Sequence, residues 1–200
     1  MLEYDMTLAG EVNTDTRQIA RGLRLRDVIL LRALVEQYQY RLVRYLIYLL
    51  GRCDEVDDLV QETWLRVLER GHSYDWRSRF EPWLFAIARN LAIDHIRKRR
   101  TFSLGSNDDS NQGAEAASPA SSAPSPFALA ARTEDAQHLA HSLQTLEPIY
   151  REALVLRFQE DLSLQETATV VGAPVTTVAS RIYRALATLR SQLGGGNHER

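Results

Sequence analysis

Four consecutive cations, Arg97-Lys98-Arg99-Arg100, close a segment that begins with aromatic and aliphatic residues at Trp83. Cations at the end of a helix interact favourably with its dipole, each worth about 0.3–1 kcal/mol, but four in a row exceed what that role needs. They suit phosphate neutralisation, in which cations displace the counterions condensed on DNA. Just upstream, Tyr74, Trp76, Arg77, Arg79, Phe80 and Trp83 interleave rings with guanidiniums. Some of these rings must be core; the mixture is also what stacks on unpaired bases.

A second group lies near the C-terminus. Ser163 with Glu166 three residues on makes a capping box. Ala168 is small where two helices must cross closely, Gly172 can take the left-handed conformation that ends a helix, and Val178 would pack back into the corner. This is helix-turn-helix spacing, with the second helix available to the major groove. Thr167 and Ala173 are smaller or more polar than the aliphatics that would pack best there. On the second helix the expected buried stripe is Val178, Ile182, Leu186 and Leu189, which leaves Thr176, Thr177, Ser180, Arg181, Tyr183 and Arg184 outward, either solvated or facing DNA.

A third group is acidic. A helix with Val56, Leu59, Val60, Trp64 and Val67 on one face presents Asp54, Asp57, Asp58, Gln61, Glu62 and Glu69 on the other. That face is either solvated or a dock for a basic partner, and acidic surface beside DNA would repel phosphates from the wrong side.

Catalytic constellations are missing. There is neither a phosphate-binding loop ending in Gly-Lys-Ser/Thr nor a G-x-G-x-x-G after a strand. His138 and His141 sit three apart on an expected helix, without a third metal ligand, and Glu134 and Asp135 nearby read as solvated charge. Cys53, the single cysteine, has no evident activating base and reads as a bystander. The expectation is a non-enzyme with no cofactor and no metal.

The elements that must position these residues are helical. Leu31, Leu34, Val35, Tyr38, Leu42, Tyr45, Leu46 and Leu49 form one stripe of a long helix, with Gly51 as its stop. Val56–Val67 makes a second, and Pro82 suits the first turn of a third that carries Trp83, Leu84, Ile87, Ala88 and Leu91. Segments 127–144 and 148–159 read as helices, followed by the short pair around Gly172 and Pro174. Residues 103–126 are dominated by Ser, Ala, Pro, Gly and Asn and lack apolar periodicity, so they cannot offset their ordering entropy. The expected fold is all-α, two small helical domains joined by a flexible linker. In order these are an uninformative extension at 1–26, a helical domain at 27–102, the linker at 103–126, a helix-turn-helix domain at 127–193 and a disordered tail at 194–200.

Composition sets outer bounds. In the 200 residues, 44% hydrophobic and 25% charged content is ordinary for a globular chain and excludes collagen-like or wholly disordered classes. One cysteine excludes an intramolecular disulfide and fits a reducing compartment. The net charge of −2 does not by itself advertise DNA binding, and the basic charge is local. The longest apolar run, Tyr45 to Leu50, falls far short of the roughly 18 residues that span a bilayer. No secretory signal is visible near Glu3, Asp5, Glu11 and Asp15, so a cytoplasmic protein is expected.

Three motifs resemble the bacterial sigma-70 family, in its small extracytoplasmic-function (group IV) class. They are DDLVQETWLRV from Asp57 to Val67, PWLFAIARNLAIDHIRKRR from Pro82 to Arg100, and the stretch from Leu143 through SLQETA at Ser163–Ala168 to TVASRIYRAL at Thr177–Leu186. The resemblance implies that Asp58, Gln61 and Glu62 dock on the clamp helices of the largest subunit of core RNA polymerase. It implies that Arg89, Asn90, Asp94, Arg97 and Lys98 lie at the minus-ten element, where DNA is melted and a non-template base captured. Thr177, Ser180, Tyr183 and Arg184 would read the minus-thirty-five element, with Arg181 nearer the backbone, and the C-terminal domain would also hold the flap of the second-largest subunit. An anti-sigma factor is implied as a further partner. The function implied is promoter recognition, melting and transcription initiation without a covalent step. Promoter elements about 17 base pairs apart are separated by roughly 60 Å at 3.4 Å per step, whereas a flexible 24-residue linker spans about 25–30 Å, so the polymerase is expected to fix the spacing. The rival reading is a polymerase-independent helix-turn-helix repressor that dimerises through its long N-terminal helices.

Overall fold

The computed structural model describes residues 15–51, 55–105 and 141–194, with the side chains of 100–105 and 193–194 left aside. Cys53, Asp54, His138 and residues 106–126 of the expected linker lie outside the described residues. Every element among the described residues is helical, with no strand.

The first element is one the sequence reading passed over. Helix α1 (Thr16–Leu25) starts at Asp15, whose carboxylate accepts from Arg17 N, and buries Ile19, Ala20 and Leu23. The chain reverses at Arg26 in a left-handed conformation (φ 53°), and Asp27 caps α2 (Val28–Leu50) by accepting from Ile29 N and Leu30 N. The two helices approach so closely at Gly22 that an added Cβ would collide with the Leu30 side chain.

Helix α2 is the spine of the first unit. It buries Leu34, Tyr38, Leu42, Tyr45, Leu46, Tyr48 and Leu49 and ends at Gly51, as its sequence predicts. Helix α3 (Val56–Arg70) buries Val56, Leu59, Val60, Thr63 and Val67, and a single 3-10 turn (Gly71–Ser73) leads into the loop before α4 (Phe80–Gly105). Pro82 does stand in the first turn of α4, and Phe80, Leu84, Phe85, Ile87 and Ala88 are buried. Phe80 meets Tyr38 and Tyr74 edge to face, at 5.4 and 5.6 Å between centroids, which pins the loop to the spine. Helix α4 runs to Gly105, three residues into the stretch expected to be linker.

In the second unit a helical segment ends at 145, and α5 (Pro148–Leu154) passes into a π turn (Val155–Gln159). Asp161 is left-handed (φ 51°), and the chain re-enters through the capping box of α6 (Leu164–Val171), where Ser163 Oγ accepts from Glu166 N and Glu166 Oε2 accepts from Ser163 N. Gly172 (φ 63°) ends α6, and α7 (Val175–Gly194) follows. The α7 stripe is Val178, Ile182, Ala185 and Leu189. Leu186 is exposed and corrects the expected stripe, because the 3.6-residue period brings position 185 inward. Thr167 is fully buried, and its hydroxyl donates to Ser163 O at 2.9 Å, so the polar side chain is satisfied.

The two units pack on each other, α2 against α5 and the π turn, and α4 against α6.

Candidate functional site

The acidic face of α3 is more than a row of solvated carboxylates. Asp57, Asp58 and Gln61 are exposed. Glu62 is shared with Arg66 (2.9 Å), which also reaches Glu69 (3.2 Å). Asp58 has no ion-pair partner among the described residues. Within this face stands Leu65, 53% exposed, with Leu68 beside it. Apolar side chains on a charged face suit a protein partner better than water alone. Both were missed in the sequence, where the buried stripe and the polar face opposite it were read; their places one step off that stripe were the available signal.

On α4 the structure divides the five expected minus-ten residues. Asn90, Asp94, Arg97 and Lys98 share one exposed face at helical spacing, with Arg97 4.0 Å from Asp94. Arg89 points elsewhere: its Nε donates to Glu152 Oε1 at 2.7 Å, on the second unit. The run of four cations is divided too. Lys98 is exposed on the same face as Asn90, whereas Arg99 reaches Glu55 at 3.8 Å.

The loop before α4 holds Trp76, 41% exposed, with the Arg17 guanidinium 4.6 Å from its ring centroid. Arg17, Arg21 and Arg24 of α1 line a groove with Trp76. Helix α1 thus adds cations to the aromatic loop, which was not legible from the loop sequence.

In the second unit, Thr177, Ser180, Arg181 and Arg184 line one groove of about 370 Å³ together with Thr176, Ile149 and Tyr150. Tyr183, 76% exposed, stands outside that groove. The guanidiniums of Arg181 and Arg184 have no ion-pair partner among the described residues. Helix α7 can offer such a face because α6 and Gly172 hold its opposite stripe in the core.

Buried phenols lie between these surfaces. Tyr45 Oη donates to Glu152 Oε1 (2.9 Å) and Tyr38 Oη to Glu81 Oε1 (3.0 Å). Burial pushes both phenols well above their ordinary range, and the neighbouring carboxylate acts in the same direction in each case. Among the described residues no group of three or more His, Cys, Asp or Glu side chains could hold a metal ion; His141 is exposed. No helix of the described residues is long and apolar enough to cross a membrane.

Among the described residues, helices alone, an acidic-apolar helix face, an aromatic-basic helix and a helix-turn-helix make the arrangement of a helical binding protein rather than of an enzyme pocket. The family comparisons narrow it. Residues 34–102 match Sigma-70 region 2 and residues 137–189 match Sigma-70, region 4. The chain is 30% identical over 163 residues to the ECF RNA polymerase sigma factor SigX of Bacillus subtilis (strain 168), covering 80% of this chain and 81% of that protein. It is 30% identical over 162 residues to SigW of the same organism, covering 80% and 87%. Among solved structures it is similar to the sigma factor RpoE in complex with the anti-sigma factor NepR from Bartonella quintana (25% identity, TM-score 0.64, 82% of this chain and 96% of that one). It is also similar to CnrH in complex with the cytosolic domain of CnrY (25%, TM-score 0.62, 90% and 97%). The chain belongs to the extracytoplasmic-function class of the sigma-70 family. It is a polymerase-associated sigma factor of transcription initiation, and the repressor reading is set aside.

Proposed function

We infer that the three surfaces divide the work of initiation. The face of Asp58, Gln61 and Glu62 on α3, with Leu65, docks on the clamp helices of the largest polymerase subunit. The α4 face of Asn90, Asp94, Arg97 and Lys98 meets the minus-ten element, and Arg89 joins it once released from Glu152. The α7 groove of Thr177, Ser180, Arg181 and Arg184 reads the minus-thirty-five element, with Tyr183 at its edge, while the second unit also holds the flap of the second-largest subunit. The chain itself makes no covalent bond. It works in the cytoplasm, and its likeness to the sigma factor RpoE, solved in complex with the anti-sigma factor NepR, supports an anti-sigma factor as its inhibitor.

The observation that carries this reading is the convergence of Thr177, Ser180, Arg181 and Arg184 on one groove of the recognition helix. An α-helix fits the major groove, where hydroxyls and guanidiniums meet base edges. The α7 groove is tested by the affinity of Arg184→Ala for minus-thirty-five duplexes, and the α4 face by permanganate reactivity of thymines in a promoter bound by the reconstituted holoenzyme. Wild type is expected to expose minus-ten thymines, and a variant with Asn90→Ala and Lys98→Ala to expose far fewer. Equal reactivity would remove α4 from melting.

A further inference from the structure

We propose that Glu152 and Glu160 are an intramolecular latch that closes the second unit onto the first and withholds Arg89 from DNA until the latch opens. The withholding of Arg89 rests on its minus-ten role above; the latch itself rests on geometry.

Both carboxylates are buried, Glu160 completely, yet among the described residues every hydrogen bond and ion pair of their side chains crosses to the other unit. Glu160 is gripped by two arginines one turn apart on α2: Arg41 Nε at 2.8 Å and Arg44 Nη2 at 2.9 Å. Arg41 Nη2 also donates to the Glu160 carbonyl at 3.3 Å. Glu152 accepts from Tyr45 Oη and Arg89 Nε. At the edge, Arg79 donates to Asp161 O at 3.1 Å and lies 3.8 Å from Glu166.

The local backbone is shaped for this. The π turn and left-handed Asp161 interrupt the helix where Glu160 must leave it to reach α2. π turns recur at functional positions because they re-aim a side chain at a cost in helix geometry.

The chemistry favours a contact that opens. A permanent seam between helices is better served by apolar packing, since burying ion pairs carries a large desolvation penalty. When these units part, water repays that penalty: five charged groups, Glu152, Glu160, Arg41, Arg44 and Arg89, regain hydration together. The closed form is also incompatible with a promoter-bound one. Promoter elements about 17 base pairs apart lie roughly 60 Å apart, whereas here α6 packs directly on α4, the minus-ten helix. Helix α7 keeps Ser180 and Arg184 exposed and α4 keeps Asn90, Asp94, Arg97 and Lys98 exposed, so of these residues closure withholds Arg89 alone.

Single-molecule energy transfer on the full chain tests the latch, with dyes at Gln37→Cys and Thr188→Cys and Cys53→Ser throughout. A variant with Glu152→Gln and Glu160→Gln is expected to raise the open-to-closed ratio about tenfold, equivalent to about 1.4 kcal/mol. Arg44→Gln loosens the same contact from the first unit and should shift the distribution in the same direction, so a folding defect confined to the second unit cannot produce both results. Affinity of the free chain for a single-stranded minus-ten oligonucleotide should rise in step with the open fraction. Unchanged transfer in both variants overturns the latch. Opening without any gain in oligonucleotide affinity overturns the withholding of Arg89 alone. Promoter-dependent transcription by wild-type holoenzyme, measured alongside, fails only if the sigma-factor reading is wrong.

Discussion

Arg184→Ala isolates the reading of DNA from the stability of the fold. Its guanidinium is exposed on α7 and has no ion pair or hydrogen bond among the described residues, so truncation breaks no polar contact of the fold. Surface changes of that kind stay within about 0.5 kcal/mol of wild-type stability. Any larger effect must come from DNA. A guanidinium in the groove shared with Ser180 and Thr177 is positioned for a base edge, and losing such a contact costs about 1–3 kcal/mol. That corresponds to a loss of about 5- to 150-fold in affinity. The assay is fluorescence anisotropy of the full chain on duplexes carrying every single-base change in the minus-thirty-five element, at one fixed salt concentration, because phosphate contacts are salt-dependent. The expected result is a loss on the wild-type duplex and a flattened preference at one position. An equal loss on all duplexes would make Arg184 a phosphate contact, and no loss on any would mean that this groove does not face DNA.

Asp58→Lys should weaken binding to core polymerase while thermal unfolding stays unchanged; equal core affinity by a pull-down titration would return the α3 face to a solvated role. Ser163→Ala removes half of the reciprocal cap of α6 and should lower unfolding free energy by about 0.5–2 kcal/mol, read from urea midpoints; no change would mean that the cap is not limiting. Tyr38, Tyr45 and Tyr74 all hold their protons more tightly folded than unfolded, by burial first. An unfolded phenol titrates near pH ~10, so the unfolded chain releases these protons first. Stability is therefore complete below about pH 10 and falls as pH rises beyond it. Urea midpoints that do not fall between about pH 9 and about pH 11 would contradict this sign.

Helices α2 and α4 of the first unit were legible because each carries its own punctuation. Gly51 stops α2 in a left-handed conformation and Pro82 opens α4, as their residue types require. The helix-turn-helix was legible for the same local reasons, from the Ser163–Glu166 box to Gly172. Helix α1 escaped because only Ile19, Ala20 and Leu23 mark its buried face, too few for periodicity to stand out, although Asp15 was an available cap signal. The site was half legible. Exposure on a helix follows from spacing, which is why the faces of α3 and α7 could be drawn from the sequence. Arg89 could not be placed in that way, because its partner Glu152 is 63 residues distant and no local pattern encodes the pairing. Glu160 is the extreme case. A glutamate is solvated by default, and only the arrival of Arg41 and Arg44 from α2 makes its complete burial tolerable.

If the proposed roles of the three surfaces hold, this chain gives core RNA polymerase its choice of promoter. Run-off transcription with purified core enzyme and a panel of genomic templates measures it directly. The expected transcripts have a defined start, depend on both the chain and the promoter, and disappear when Asp58 and Glu62 are replaced with lysine. Tight duplex binding by the chain with no transcript from any template would contradict it.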